Sequence, residues 1–181
     1  GLVGSEMCIR GNLSAIAREV YRSGFESPIY ANSSAADAEG AFIKAVGRDV
    51  AEGIHHIQSI PPVNSSAYKR FAQAAGIDPA TLAIFPSNVW DQISVLALAI
   101  EQAGSADPAR YAAAIPLVAN GQGAKVESPV DGLKALRAGQ AVAYSGAGSQ
   151  FTFTPNGDQL NREFGHFVIK NGANQLLEVL H

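Results

Sequence analysis

Thiols are all but missing from this chain of 181 residues: Cys8 is its one cysteine and Met7 its one methionine, both within the first ten positions. A single cysteine excludes an intramolecular disulfide and a thiolate metal site. No apolar run approaches the ~18 residues that a membrane-spanning helix needs. Thirteen basic residues against sixteen acidic ones give a net charge of −3. That balance offers no basic footprint for nucleic acid or an anionic membrane surface. Internal repeats, heptad runs and low-complexity tracts are also lacking. What remains is an alternation of amphipathic helices and short strands, the pattern of an α/β layered fold.

Leu13, Ile16, Ala17, Val20 and Tyr21 fall at helical spacing, and Gly24 supplies a stop. Pro28 to Ala31 reads as a strand, followed by the polar loop Asn32-Ser33-Ser34. A second helix presents Ala38, Ala41, Phe42, Ala45 and Val46 on one side and ends at Gly47. Ile54 to Ile60 is a strand stopped by Pro61-Pro62, and Tyr68, Phe71, Ala72 and Ala75 mark another helix. The helix around Trp90 is apolar nearly all round, which predicts burial on every side. Asp107-Pro108 is a helix start, an N-cap with proline at the first helical position.

The segment from Asp131 to Gly172 carries the densest signal. An amphipathic helix ends at a glycine, a short β run enters a Gly/Ser loop, and a Phe-x-Phe strand puts Phe151 and Phe153 on one face. A Pro-Asn-Gly-Asp turn follows, then an alternating strand closed by Asn171-Gly172, whose residues favour the positive φ angles of tight turns.

That order resembles the C-terminal part of type I periplasmic binding proteins, the branched-chain amino acid (Leu/Ile/Val) binding family of ABC transporters. Its members run "DGL-x-AL-x-x-G", "Y-x-G-A-S-G", "F-x-x-x-G-D", and then a strand with a "dG" turn. Asn88 to Gly104 resembles the family's "YDA-x-x-LLA-x-AIE-x-AG" helix, with Trp90 for the usual Tyr. Arg18 to Gly53 resembles the stretch leading to its Glu-Gly close. Family chains are much longer, so the resemblance implies that this is the C-terminal portion of a larger protein. It implies partial two-lobe, Rossmann-like layers joined by hinge strands: 12–60 and 161–181 in the second lobe, 61–160 in the first. The crossings would fall at Pro61-Pro62 and near Asp158–Arg162, and lobes of this kind close around a ligand by hinge bending.

Residues 2–10, Leu-Val-Gly-Ser-Glu-Met-Cys-Ile-Arg, can be written CTC GTG GGC TCG GAG ATG TGT ATA AGA. That reads as the translation of a transposon-based sequencing adapter, the alternative being a native strand or loop. Residues 1–11 are therefore expected to lie outside the native fold. Glu6 and Arg10 cancel, so the net charge of the rest is unchanged.

Several candidates for chemistry have plainer explanations. Gly146-Ala147-Gly148 could cradle a phosphate, but strand rather than helix follows it, which favours a hairpin loop. His55 and His56 are neighbours on a strand, point to opposite faces and cannot chelate together, so both are expected at the surface or an edge. Ser145 and Ser149 lack the setting of a nucleophile elbow, and no His/Asp set accompanies them. Trp90 suits core packing better than ligand stacking, and Asp91 suits a helix-start cap. No catalytic or metal residues and no cofactor are expected, and the chain reads as a non-enzyme.

The loop after the Pro28 strand is the one position with a functional case, since ligands of layered α/β folds gather at the carboxyl ends of strands. Alignment with the family's "P-l-i-G-s-[DE]-G-a-a-d" places Ser33, flanked by Asn32 and Ser34, where an acidic residue often holds the ligand's ammonium. These three residues are the expected ligand contacts. The resemblance implies a periplasmic solute-binding component, or an extracellular lipid-anchored one. It would capture an amino acid, an amide or a small carboxylate between two lobes for an ABC permease in the membrane. A sensory ligand-binding domain of the same fold is the alternative.

Overall fold

The computed structural model describes residues 2–35, 40–149, 151–160 and 162–180, with side chains from residue 12 onward. The side chains of 1–11, expected to take no part in the native fold, the place of Ala38 in the second helix, and Asn161 within the expected crossing lie outside the described residues. The chain divides into two compact units, one of residues 1–59 with 164–180 and one of residues 60–163.

In the first unit, helix α1 (Leu2–Arg22) runs unbroken, so residues 2–10 continue the helix of 12–22. Strand β1 (Tyr30–Ala31) is followed by a 3₁₀ turn (Ser33–Ala35), helices α2 (Ala41–Val46) and α3 (Arg48–Ala51), and strand β2 (His55–Ile60). Strands β1 and β2 pair in parallel, Tyr30 opposite His55. A parallel pair needs a crossover, and the helical segment between them provides it. The hairpin of β7 (Glu163–Lys170) and β8 (Ala173–Leu180) completes a four-stranded sheet in the order β1-β2-β7-β8. Its turn places Asn171 at φ 56° and Gly172 at φ 76°, the left-handed pair that matches the twist of two strands. The Glu52 carboxylate accepts the Asn171 N–H at 2.9 Å and ties this turn to the end of α3. Ala17, Phe42, Ile43, Val46, Ala51, Ile54 and Ile169 form the core.

In the second unit, α4 (Ser66–Ala75), α5 (Ile84–Ala103) and α6 (Pro108–Ala119) precede β3 (Ala124–Val126), α7 (Pro129–Arg137) and β4 (Val142–Tyr144). Strands β3 and β4 pair in parallel with α7 as the crossover, and β5 (Thr152–Phe153) with β6 (Gln159–Leu160) forms a separate hairpin. Three helices start on side-chain caps: Ser65, Asp107 and Ser128 accept the N–H groups of Tyr68, Ala109 and Asp131, each contributing about 1 kcal/mol. Val95, Leu98, Ala99, Val118, Val142, Tyr144 and Phe151 make the main core. Phe153 packs against it, edge-on to Phe151 at 5.7 Å.

Helix α5 is not buried on every side. Ser87, Asp91, Ser94, Val95, Leu98 and Ala99 face inward, while Phe85, Val89, Ile93 and Leu96 are exposed. Apolar composition set the expectation of full burial, but the inward stripe spends three of its positions on polar groups. Two of those bond back to their own helix: the hydroxyls of Ser87 and Ser94 donate to the carbonyls of Ile84 and Trp90.

Candidate functional site

The residues after β1 form an Asx turn rather than an irregular loop. Asn32 Oδ1 accepts the Ser34 N–H at 2.9 Å, and the Asn32 carbonyl accepts the Ala35 N–H at 3.1 Å. That bonding explains the 3₁₀ turn over Ser33–Ala35, since an Asn side chain bonding two residues on mimics a backbone turn. Ala35 is buried and anchors the turn in the core, Asn32 and Ser33 are exposed, and Ser34 is half-buried. The turn thus commits the Asn32 side-chain oxygen and presents the Ser33 hydroxyl to solvent. Asp37, on the far side of the aligned segment, lies outside the described residues.

A second strand-end site, not anticipated from the sequence, lies in the other unit. A cavity of about 270 Å³ is lined by Ser65, Ser66, Lys125, Glu127, Ser145, Ser149 and Glu163. Glu127 and Ser145 directly follow β3 and β4, so the cavity opens at the carboxyl ends of two parallel strands, where layered α/β folds take ligands. Glu127 is its best-ordered charge: its carboxylate accepts the Ser66 hydroxyl at 2.6 Å and lies 3.8 Å from both Arg70 and Lys125. Ser149 accepts a hydrogen bond from the Gln159 amide. Hydroxyls, two carboxylates and a lysine together suit a small polar solute. A groove of about 310 Å³ beside α1 lies at the amino ends of β1 and β2 and is lined largely by apolar residues such as Val20, Phe25 and Ile29. Its polar residues are Tyr21, Glu26, Ser27, Glu52 and His55, and it does not open at the carboxyl ends of the strands.

The Gly/Ser loop between β4 and β5 does cradle an anion, and the anion belongs to the chain. Asp91 accepts from the Tyr144 hydroxyl at 2.8 Å, the Ala147 N–H at 2.7 Å and the Gly148 N–H at 2.6 Å. A Cβ on Gly146 would stand 2.5 Å from Asp91 Oδ2, and one on Gly148 would stand 2.8 Å from Asn88 Oδ1. Gly146, which would also meet the Ser149 carbonyl at 2.7 Å, is held to glycine by this approach, while at Gly148 the Asn88 side chain would have to move. Burial lifts the Asp91 carboxyl from 3.8 to about 6, against the opposing pull of the bonds from Ala147, Gly148 and Tyr144. At neutral pH it remains ionised and holds the loop that carries Ser145 and Ser149. The expected role of Asp91 as a helix-start cap is therefore incorrect: α5 begins at Ile84, and Asp91 lies two turns inside it.

His56 is also not where the sequence suggested. It is fully buried, stacked on Phe167 at 5.0 Å, with Nε2 2.9 Å from Asn174 Oδ1. Desolvation lowers its pKa, the Asn174 bond opposing, so the ring is neutral in the fold. The correction has a topological cause: β2 lies inside the sheet between β1 and β7 rather than at an edge. Trp90 packs against Phe71 at 5.8 Å. Among the described residues, no group of three or more His, Cys, Asp and Glu side chains is set to hold a metal ion. None of the described helices is long and apolar enough to cross a membrane.

No protein-family model matches the sequence, and no curated protein matches it. Solved structures do. A leucine binding protein, LivK, from Thermotoga maritima matches 95% of this chain and 42% of its own, at 22% identity and a TM-score of 0.66. An ABC transporter substrate-binding protein from Desulfitobacterium hafniense matches 91% and 40%, at 20% identity and 0.53. An extracellular ligand-binding receptor from Rhodopseudomonas palustris matches 91% and 44%, at 18% identity and 0.50. The chain thus spans about two-fifths of the length of the structures it resembles. Over that stretch it has the α/β fold of type I periplasmic binding proteins.

Proposed function

We propose that this chain is part of the substrate-binding component of an ABC importer. It would capture an amino acid or a related small polar solute and deliver it to a permease in the membrane. The observation that carries this reading is the fold shared with substrate-binding proteins over nearly all of the chain. The strand-end placement of the Ser33 turn and of the Glu127 cavity supports it. Residues 12–60 and 161–181 are assigned to the second lobe of such a protein and 61–160 to the first, with the crossings acting as hinges. The setting is periplasmic, or extracellular on a lipid anchor.

Ser33, Asn32 and Ser34 are assigned as ligand contacts in the second lobe. A hydroxyl at Ser33 can still accept a hydrogen bond from a free ammonium, but it lacks the charge–charge attraction that a carboxylate would add. Amides and small carboxylates therefore stand beside plain α-amino acids as ligands. A sensory ligand-binding domain is the second reading, supported by the likeness to a protein described as an extracellular ligand-binding receptor. Equilibrium dialysis of the longest natural chain containing residues 12–180, against leucine, valine, short amides and aromatic carboxylates, tests the common core of both. Saturable binding of one solute per chain is expected, and failure of all of them to bind would reject it.

A further inference from the structure

A row of four side chains crosses the sheet of the first unit: Tyr30 on β1, His55 on β2, His166 on β7 and Glu178 on β8. Tyr30 lies opposite His55 in the β1–β2 register and His166 opposite Glu178 in the β7–β8 register, with β2 and β7 adjacent in the sheet. His55 Nδ1 stands 3.0 Å from His166 Nε2, and His166 Nδ1 stands 2.9 Å from Glu178 Oε1. Tyr30 stacks on both imidazoles, with ring centroids 5.0 and 6.0 Å away. This relationship differs from the adjacent pair His55-His56: it joins histidines on neighbouring strands, whose rings share one face.

Glu178 accepts the His166 Nδ1–H, so Nε2 of a neutral His166 is a lone pair, and His55 Nδ1–H is its donor. One proton therefore separates two nitrogens held at ligating distance. Two imidazoles in neighbouring positions on one metal, with bonds of about 2.0–2.1 Å, place their nitrogens about 2.9–3.4 Å apart, and the pair lies within that span. Glu178 supplies the outer-shell carboxylate that orients a ligating imidazole and raises its basicity.

We propose that His55 Nδ1 and His166 Nε2 form a two-histidine site for a late first-row divalent ion, Cu²⁺, Ni²⁺ or Zn²⁺, with solvent completing the coordination. Neutral imidazole nitrogens select these ions over Mg²⁺ and Ca²⁺, and the expected order of affinity places Cu²⁺ first. On binding, the proton between the rings passes to solvent and His55 takes one up at Nε2, so neutral histidines release no net proton. This site is independent of the solute reading and would stand if that reading failed.

Calorimetric titration of the chain with CuCl₂, NiCl₂ and ZnCl₂, in a buffer that does not chelate, is the test. One ion per chain is expected, with Cu²⁺ tightest and no heat from MgCl₂. His55→Phe, which keeps a ring beneath Tyr30, and His166→Gln should each abolish binding while leaving the circular dichroism of the parent. Glu178→Gln should weaken it about 10–100-fold, and His181→Ala should leave it intact. The absence of saturable binding, or binding that survives both histidine substitutions, overturns the proposal.

Discussion

The Tyr144 hydroxyl donates a 2.8 Å hydrogen bond to Asp91 Oδ1, joining the end of β4 to the middle of α5. Two backbone N–H groups of the following loop complete the same carboxylate. Removing the acid leaves three buried donors without an acceptor, each costing about 1–3 kcal/mol. Asp91→Ala is therefore expected to destabilise the second unit by several kcal/mol, and Asp91→Asn by less. Urea unfolding followed by circular dichroism measures both. A variant as stable as the parent would show that the loop is held by something else.

Gly146→Ala should reproduce part of that loss through sterics alone. Its Cβ would meet the Asp91 carboxylate at 2.5 Å, and such overpacking costs about 1–3 kcal/mol. The same substitution at Gly139, where nothing approaches within 4 Å, meets only a strained φ of 76° and should cost about 1 kcal/mol. Thermal unfolding of the two variants side by side checks the order.

Asp91 and His56 push the pH dependence of stability in opposite directions. The Asp91 pKa is raised from 3.8 to about 6 in the fold, so the folded state binds its proton more tightly than the unfolded chain. Its contribution is fully present below pH 3.8 and is lost as pH rises through about 6. His56 is lowered from 6.5, so its contribution is present above pH 6.5 and is lost as the pH falls below it. The stability of the parent relative to Asp91→Asn should then increase between pH 7 and pH 4, by up to about 3 kcal/mol at about 1.4 kcal/mol per pKa unit. A difference that stays flat with pH would contradict the assignment.

Residues 2–10 continue α1 as helix, which an adapter-encoded segment joined to a helix start can do without contributing to the core. Their deletion is expected to leave the thermal midpoint unchanged. A fall of several degrees would mark them as native.

Much of the fold was legible because its punctuation is chemical. Asn171-Gly172 has the residues of a left-handed turn, Asp107-Pro108 those of a helix start, and Phe151 and Phe153 share the face that their spacing predicts. The errors have equally local causes. Helix α5 starts at Ile84, four residues before the Asn88 from which the family resemblance reads it, and Pro86 sits in its first turn, where a missing N–H costs nothing. Strand β3 is only Ala124-Lys125-Val126, too short for alternation to register, and without it the Glu127 cavity had no strand end to mark it. Helix α3 is four residues long and follows directly on Gly47. Gly146-Ala147-Gly148 did have the composition of an anion cradle. Its anion, Asp91, is more than fifty positions earlier in the chain and could not be paired with it by spacing alone.

Titration calorimetry on the longest natural chain containing residues 12–180 tests the central claim most directly, using leucine, valine, short amides and aromatic carboxylates with parent and Ser33→Glu. The account predicts saturable one-to-one binding of one of these solutes, and a Kd for ligands bearing an α-ammonium that improves up to about fivefold in Ser33→Glu, from the ~0.2–1 kcal/mol that an ion pair at an exposed position adds. Tight binding of branched-chain amino acids by the parent with an identical Kd in Ser33→Glu would reduce the Asx turn to a turn. No binding of any solute by either protein would contradict the account as a whole.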